Sequence, residues 1–440
     1  MIALIKITQL LLSLSILVVL HEMGHYLAAR YFKTRVEKFY LFMNPWFSLY
    51  KKQVGETEWG IGWLPLGGYV KISGMVDESM DEEQMKLPPK PYEFRSKPAW
   101  QRLIIMLGGI IVNLIVGFLI YSMVLFSWGE TVTPNDLALE IDPKLEEFGF
   151  QNGDQIIKYN GEEITTFDDI RRKAFFNIVT QATVIRDGVE ITLPTFDQDL
   201  GKFLINEGVR TPFRPRIPAL IKSVNEGSRA KAAGLRAGDL FTAIGDVETI
   251  SQYVTKTTLE SQPNSPVLLH IDRNGQALIL PAMTDTLGHL GFEFMGASNY
   301  QDHIEYTFGQ SIVGGFHLAS NTIREYGLSM RLVFSSAGSK QVGSLLTFAS
   351  VFDGGWDWHR FWNMTAFFSL ILAFMNLLPI PALDGGHVVF LLYEMIVGKP
   401  APDKILEIAQ VIGMILLLGL MVFALGNDFV RLFNGELSLG

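Results

Sequence analysis

His21-Glu22-Met23-Gly24-His25 follows directly on the apolar run Leu10 to Leu20. Histidines four residues apart share one helix face, so both imidazoles can reach a single metal ion. The glutamate beside the first histidine can take a proton from a metal-bound water. The bare pattern is only moderately specific. Its placement adds weight, because ionisable groups in a membrane helix are costly and mark function. The segment therefore reads as a candidate metal centre rather than a structural His–Glu pair.

The rest of the chain sets the context. Its 440 residues are 48% hydrophobic, with a mean hydropathy of +0.24. That balance is too apolar for an ordinary soluble enzyme and too polar for an all-helix transporter, and it predicts membrane spans plus a sizeable aqueous portion. A formal charge of -9 argues against nucleic acid as a partner, since no broad surface would neutralise phosphates. There is no cysteine, so disulfides and thiolate ligands are excluded. A metal must then be held by His, Asp or Glu, which for zinc suits a catalytic site.

Four stretches are long and apolar enough to span about 30 Å of hydrocarbon, which takes roughly 20 helical residues. They run from Ile2 to Phe32, Leu103 to Trp128, Phe361 to Ala382 and Ile408 to Leu425. The first could be a signal peptide, as Lys6 precedes its apolar run. No small-residue cleavage site follows, however, and the metal motif stands where cleavage would fall.

Short loops rich in Lys and Arg mark the cytoplasmic side. Arg30, Lys33, Arg35, Lys38, Lys51, Lys52, Arg95, Lys97 and Arg102 lie between the first two spans, and Lys399 and Lys404 between the last two. Both loops are expected inside. Both termini and the long 129–358 segment are then expected outside. Within the first loop, Met75 to Phe94 is rich in acid, Met and Pro and reads as a linker.

The long segment carries an internal repeat. Gly149-Phe150-Gln151-Asn152-Gly153-Asp154 recurs as Gly234-Leu235-Arg236-Ala237-Gly238-Asp239, and Arg186-Asp187-Gly188 as Arg273-Asn274-Gly275. Asp-Gly and Asn-Gly between alternating apolar residues read as tight hairpin turns, so two copies of a β-rich module are expected. The Gly-x-x-x-Gly-Asp pattern followed by an apolar strand resembles the PDZ domains of membrane-bound bacterial proteases. Such modules can bind peptides as an added strand, or serve only as spacers and steric screens. Tyr306 to Phe334, apolar with sparse charges, reads as an interfacial helix on the outer surface.

A catalytic zinc wants three protein ligands and one open position. The third span ends in Asn376-Leu377-Leu378-Pro379-Ile380-Pro381-Ala382-Leu383-Asp384-Gly385-Gly386-His387. Two prolines break the helix there, and two glycines let backbones approach closely. Asp384 lies between them at the inner end of the span, at a depth the first span's histidines can reach, and is the expected third ligand. His387 is its local competitor, read more simply as a surface position on a resuming helix.

Together these stretches resemble the site-2 protease family of intramembrane zinc metalloproteases. His-Glu-x-x-His in the first span and Asn-x-x-Pro-x-Pro-x-Leu-Asp-Gly in the third are its paired signature, and Gly62-Trp63-Leu64-Pro65-Leu66-Gly67-Gly68-Tyr69-Val70-Lys71 resembles the β-loop these enzymes place between their first two spans. Four spans with two PDZ domains between the second and third are similar to the bacterial members that regulate sigma-E-type envelope stress responses. One departure is the stretch before the third span, Gly338-Ser339-Lys340-Gln341-Val342-Gly343, which lacks the Gly-Pro found in many members.

The resemblance implies that His21, His25 and Asp384 bind Zn2+, that Glu22 is the general base, and that Asn376 holds the substrate or steadies the oxyanion. An amide donor held in hydrocarbon fits that last role, as it also fits plain interhelical hydrogen bonding. Asn113 matches another family Asn and reads here as helix glue. The expected architecture is an α-helical polytopic membrane protein with a membrane-associated β-loop plus two β-rich PDZ domains. Residues 1–128 would carry the first two spans and the loop, 129–210 and 211–297 the modules, 298–358 the outer segment, and 359–440 the last two spans. The expected reaction is hydrolysis of a peptide bond in or beside the transmembrane helix of a single-span protein. Its substrate would be of the anti-sigma-factor type, or a signal-peptide remnant, and the setting a bacterial inner membrane with the modules periplasmic. A non-catalytic PDZ scaffold is weakened by the intact Glu22. A metal-ion transporter is weakened by the absence of inverted repeats in the sequence.

Overall fold

A computed structural model describes residues 1–65, 67–75, 88–209, 211–333 and 343–434. Most of the linker from Met75 to Phe94, and the stretch lacking Gly-Pro up to Val342, lie outside the described residues. The chain divides into two compact units, residues 1–129 with 305–440, and residues 130–304.

The first apolar stretch forms one helix, α1 (Ile2–Tyr31). A four-stranded sheet follows, made of β1 (Val36–Leu41), β2 (Met43–Val54), β3 (Thr57–Leu64) and β4 (Tyr69–Ile72) in the order β2-β3-β1-β4. β1 runs parallel to β3, and the other pairs are antiparallel. The glycine-rich loop expected from sequence thus supplies only part of a larger sheet. The second stretch forms α2 (Ala99–Trp128).

Residues 130–304 hold the repeat as two modules, each with its own apolar core, one from Leu139 to Phe213 and one from Ala219 to Leu290. The first has β5 (Glu130–Val132), β6 (Leu139–Ile141), β7 (Gln155–Tyr159), β8 (Glu162–Glu163), α3 (Phe167–Phe176), β9 (Ala182–Arg186), β10 (Val189–Thr192), α4 (Leu200–Asn206) and β11 (Phe213–Pro215). The second has β12 (Ile221–Val224), α5 (Arg229–Ala232), β13 (Leu240–Ile244), β14 (Val247–Glu248), α6 (Gln252–Glu260), β15 (Pro266–Arg273), β16 (Gln276–Met283) and β17 (Phe292–Phe294). A last strand, β18 (Asp302–Ile304), pairs with β5. The main sheets have matching orders, β10-β9-β7-β8 and β16-β15-β13-β14. Because β11 pairs with β6, the first module runs past the boundary expected at 210.

The repeated residues explain the repeat. Asp154 is fully buried and accepts two bonds from Arg186, Nε at 2.7 Å and a terminal nitrogen at 2.9 Å. Asp239 and Arg273 repeat the arrangement at 2.6 and 2.8 Å. Each aspartate also accepts a backbone N–H three residues before it, and each arginine also donates to the first glycine of its motif. The Gly-x-x-x-Gly-Asp turn and the later arginine are thus two ends of one planar charge-assisted clasp.

The chain then forms α7 (Phe308–Val333), α8 (Leu345–Ser350), α9 (Trp358–Leu377), α10 (Asp384–Val397) and α11 (Asp403–Phe433). α1, α2 and α11 are long and apolar enough to cross a membrane. α11 leaves Ile408, Ile412, Ile415, Leu416 and Val422 exposed, as lipid contact would require. α9, the expected third span, packs against α1 and α2, but opens on Trp358, His359 and Arg360 and is less apolar. It stops at Leu377, short of the expected Ala382, because Leu378 precedes a proline and is pushed to an extended conformation (φ -62°, ψ 145°). The segment read as an interfacial helix forms α7, which packs along α2. Phe308 meets Phe126, Thr322 meets Tyr121, and further on Tyr326 meets Phe374 of α9.

Candidate metal centre

Glycine brings α1 and α2 together at the motif. A Cβ built on Gly24 would stand 2.3 Å from the Gly108 carbonyl oxygen, and one on Gly108 would stand 2.5 Å from that of Gly24. Only a side-chain-free crossing permits such an approach between helices. It sets the next residue, Gly109, beneath the imidazoles, where a Cβ would lie 2.5 Å from His25 Nε2 and 2.7 Å from His21 Nδ1.

The third group arrives by the broken helix. After Leu378 the chain turns through Pro379 to Ala382, and Ala382 takes φ +76°, a left-handed conformation costing a non-glycine residue about 1–2 kcal/mol. Asp384 then opens α10. Gly385 and Gly386 let that helix start press on the preceding turn, since a Cβ at either would fall 2.2 Å from the Leu378 oxygen or 2.7 Å from that of Ile380.

Three ligand atoms converge. Asp384 Oδ2 lies 3.1 Å from His21 Nε2 and 3.3 Å from His25 Nε2, and the two Nε2 atoms are 3.2 Å apart. Among the described residues this is the grouping of His, Asp and Glu able to hold a metal ion. His25 is buried, and its Nδ1 lies 2.8 Å from the Ile105 carbonyl oxygen. A carbonyl only accepts, so Nδ1 carries a proton, and the neutral ring has its Nε2 lone pair free for a metal. Asp384 Oδ2 is itself buried without a hydrogen bond. Three ligand atoms this close share a single point where a cation could sit, so the donor set fits a zinc site with two imidazoles and a carboxylate.

The flanking groups have defined places. Glu22 is half-buried beside His21, and its carboxylate accepts the backbone N–H of Val70 in the edge strand β4. Asn376, in the last turn of α9, brings its amide within 3.4 Å of His21 Nε2. The structure thus gathers His21, His25, Asp384 and Asn376 around one point, with Glu22 on the same helix. His387 is turned elsewhere, toward Gln410 at 3.4 Å. Sequence reasoning assigned Asn113 to helix packing, but its amide lies 3.4 Å from His21 Nδ1. The available signal was its spacing four residues beyond Gly109, which puts both on one face of α2.

The family model for peptidase family M50 matches residues 9–420. The chain is 28% identical to the regulator of sigma-E protease RseP of Escherichia coli K12, over 97% of this chain and 98% of that protein. It is 28% identical to the regulator of sigma E protease of Haemophilus influenzae, over 96% and 98%. A Neisseria meningitidis protein described as a candidate zinc metalloprotease is also 28% identical, over 96% and 98%.

Proposed function

The chain belongs to peptidase family M50 and is an intramembrane zinc metalloprotease, and from that premise we propose the roles of its residues and the kind of substrate it cuts. His21, His25 and Asp384 hold the zinc. The observation that carries this assignment is the convergence of two imidazole Nε2 atoms and one carboxylate oxygen within 3.1–3.3 Å of one another. When bound, the zinc supplies Lewis-acid polarisation and brings the pKa of its water down toward about 7.

Glu22 takes the proton of the attacking water and returns it to the leaving amine. Its bond from Val70 N–H supports this role by aiming the carboxylate across the gap between α1 and β4. Asn376 donates to the oxygen of the scissile carbonyl as charge develops there. A helical substrate hides its carbonyls in hydrogen bonds, so it must unwind locally before attack. β4 is the edge of its sheet and reaches Glu22, so an extended substrate segment added there would lie beside the base.

The substrate is a single-span membrane protein of the anti-sigma-factor type, a reading supported by relatives named as regulators of sigma-E protease. α9 is the third of four spans of a protein of the bacterial inner membrane. The charge of the short loops supports a metal centre toward the cytoplasm and periplasmic modules. The two modules are PDZ domains, supported by the repeated Asp–Arg clasp and the matching sheet orders. They screen out substrates that still carry bulky exterior domains.

The test is mass-spectrometric mapping of the bond cut in a single-span anti-sigma protein co-reconstituted with the enzyme in vesicles. One cut within or beside the transmembrane segment, lost on shaving the zinc with a chelator, is expected. Cleavage confined to the aqueous domains would refute the reading.

A further inference from the structure

The two zinc-facing imidazoles are held differently. His25 gives its Nδ1–H to the Ile105 carbonyl, a group that can only accept. His21 Nδ1 faces the Asn113 side chain, whose amide can either donate or accept. Asn113 is fully buried, and its backbone is tied to α9 by Ser369 Oγ, which donates 2.7 Å to the Asn113 carbonyl.

The amide nitrogen lies 3.4 Å from His21 Nδ1, while Asn113 Oδ1 is buried with no hydrogen bond. The two ends of an amide are distinguished only by their partners. With nitrogen toward the ring, Nδ1 must accept, so the His21 proton falls on Nε2 and points at Asp384. The carboxamide oxygen is then an orphan in the bundle interior, which is costly. Half a turn of the amide frees His21 Nε2 of its proton and gives the oxygen a donor, with the amide nitrogen taking the oxygen's former place. Oδ1 takes the Nδ1–H, and Nε2 offers its lone pair beside that of His25.

We infer that Asn113 is a positioning residue for the zinc, whose side-chain oxygen accepts the His21 Nδ1–H and holds the ring in the tautomer that presents Nε2 to the metal. This rests on the proposed ligation by His21, His25 and Asp384. On one face of α2, Gly109 leaves room for the rings and Asn113, a turn later, fixes the proton of one of them. Outer partners of ligating histidines commonly govern metal affinity by about 10- to 100-fold.

The experiment measures zinc dissociation by chelator competition on the full-length detergent-purified chain, alongside thermal unfolding of the zinc-stripped protein. Asn113→Ala is expected to weaken zinc binding about 10- to 100-fold while the zinc-stripped protein still unfolds in one cooperative transition. Asn113→Asp, which keeps an oxygen acceptor and loses the donor, is expected to bring affinity back to within a few-fold of wild type. Wild-type affinity in Asn113→Ala overturns the inference, as does an Asn113→Asp protein that folds yet binds no better than Asn113→Ala. If Asn113→Asp does not accumulate, ring-nitrogen NMR of histidine-labelled zinc protein decides. A displaced His21 Nδ1–H signal in Asn113→Ala supports the bond, and an unmoved one overturns it. His21→Ala serves as the reference. Zinc binding that survives His21→Ala means the ligand assignment itself has failed, whereas its loss there together with a neutral Asn113→Ala defeats this inference alone.

Discussion

Gly109→Ala adds one methyl group at the floor of the metal centre. That methyl would stand 2.5 Å from His25 Nε2, 2.6 Å from His21 Cε1 and 2.7 Å from His21 Nδ1. Unstrained contact begins near about 3.5 Å, so roughly 1 Å of overlap must be relieved. His25 cannot yield without leaving the Ile105 carbonyl, nor can His21 without leaving Asp384. Overpacking of this kind costs about 1–3 kcal/mol. Charged to the zinc-bound state, that is a loss of roughly 5- to 150-fold in zinc affinity. Ligands displaced by about 1 Å would lower turnover by on the order of a hundredfold as well. Gly117→Ala is the control on the same helix, because its methyl meets mainly the Leu370 side chain, at 2.6 Å. A leucine can change rotamer, so zinc affinity there should stay near wild type. Chelator competition and cleavage of a single-span substrate read both variants. If Gly109→Ala binds zinc as tightly as wild type, the close seating of the rings over Gly109 is wrong.

Other outcomes follow from the same geometry. Gly24→Val drives a side chain into the Gly108 backbone, where neither helix can give way, and should prevent accumulation of folded protein, read by detergent gel filtration. Arg186→Met strips the buried Asp154 of its clasp and should cost the first module about 1–3 kcal/mol, seen as earlier proteolysis within residues 130–209 while zinc content is unchanged. Arg273→Met should do the same to the second module. Asn376→Ala should lower kcat by about 10²–10³ with zinc content and KM near wild type, which steady-state kinetics would check.

The site was largely legible because its chemistry forces rare residues into apolar surroundings. His21, Glu22 and His25 stand out against Leu10 to Leu20, and Asp384 against the Pro379–Pro381 break. The repeat was legible for a related reason, since a buried aspartate must keep its arginine and a tight turn its glycines. Helix packing was less visible. α7 carries Arg324 and Glu325 amid apolar residues, a pattern that fits an interfacial helix as well as one lying along α2. β1 and β2 gave little signal because β2 is mostly exposed on both faces and lacks strict alternation. Asn113 was read as packing because sequence gives the depth of a polar group in a helix but not its partner. That partner comes from an approach of α1 to α2 that only the paired glycines, Gly24 and Gly108, make possible.

The central claim is that Glu22 drives hydrolysis at a zinc held by His21, His25 and Asp384. It is tested most directly by reconstituting wild-type protein and Glu22→Gln with one single-span substrate, and assaying zinc and cleavage on the same samples. The expected result is one zinc per chain in both proteins and cleavage by the wild type alone. Equal cleavage by both, or wild-type protein that cleaves without zinc, would contradict it.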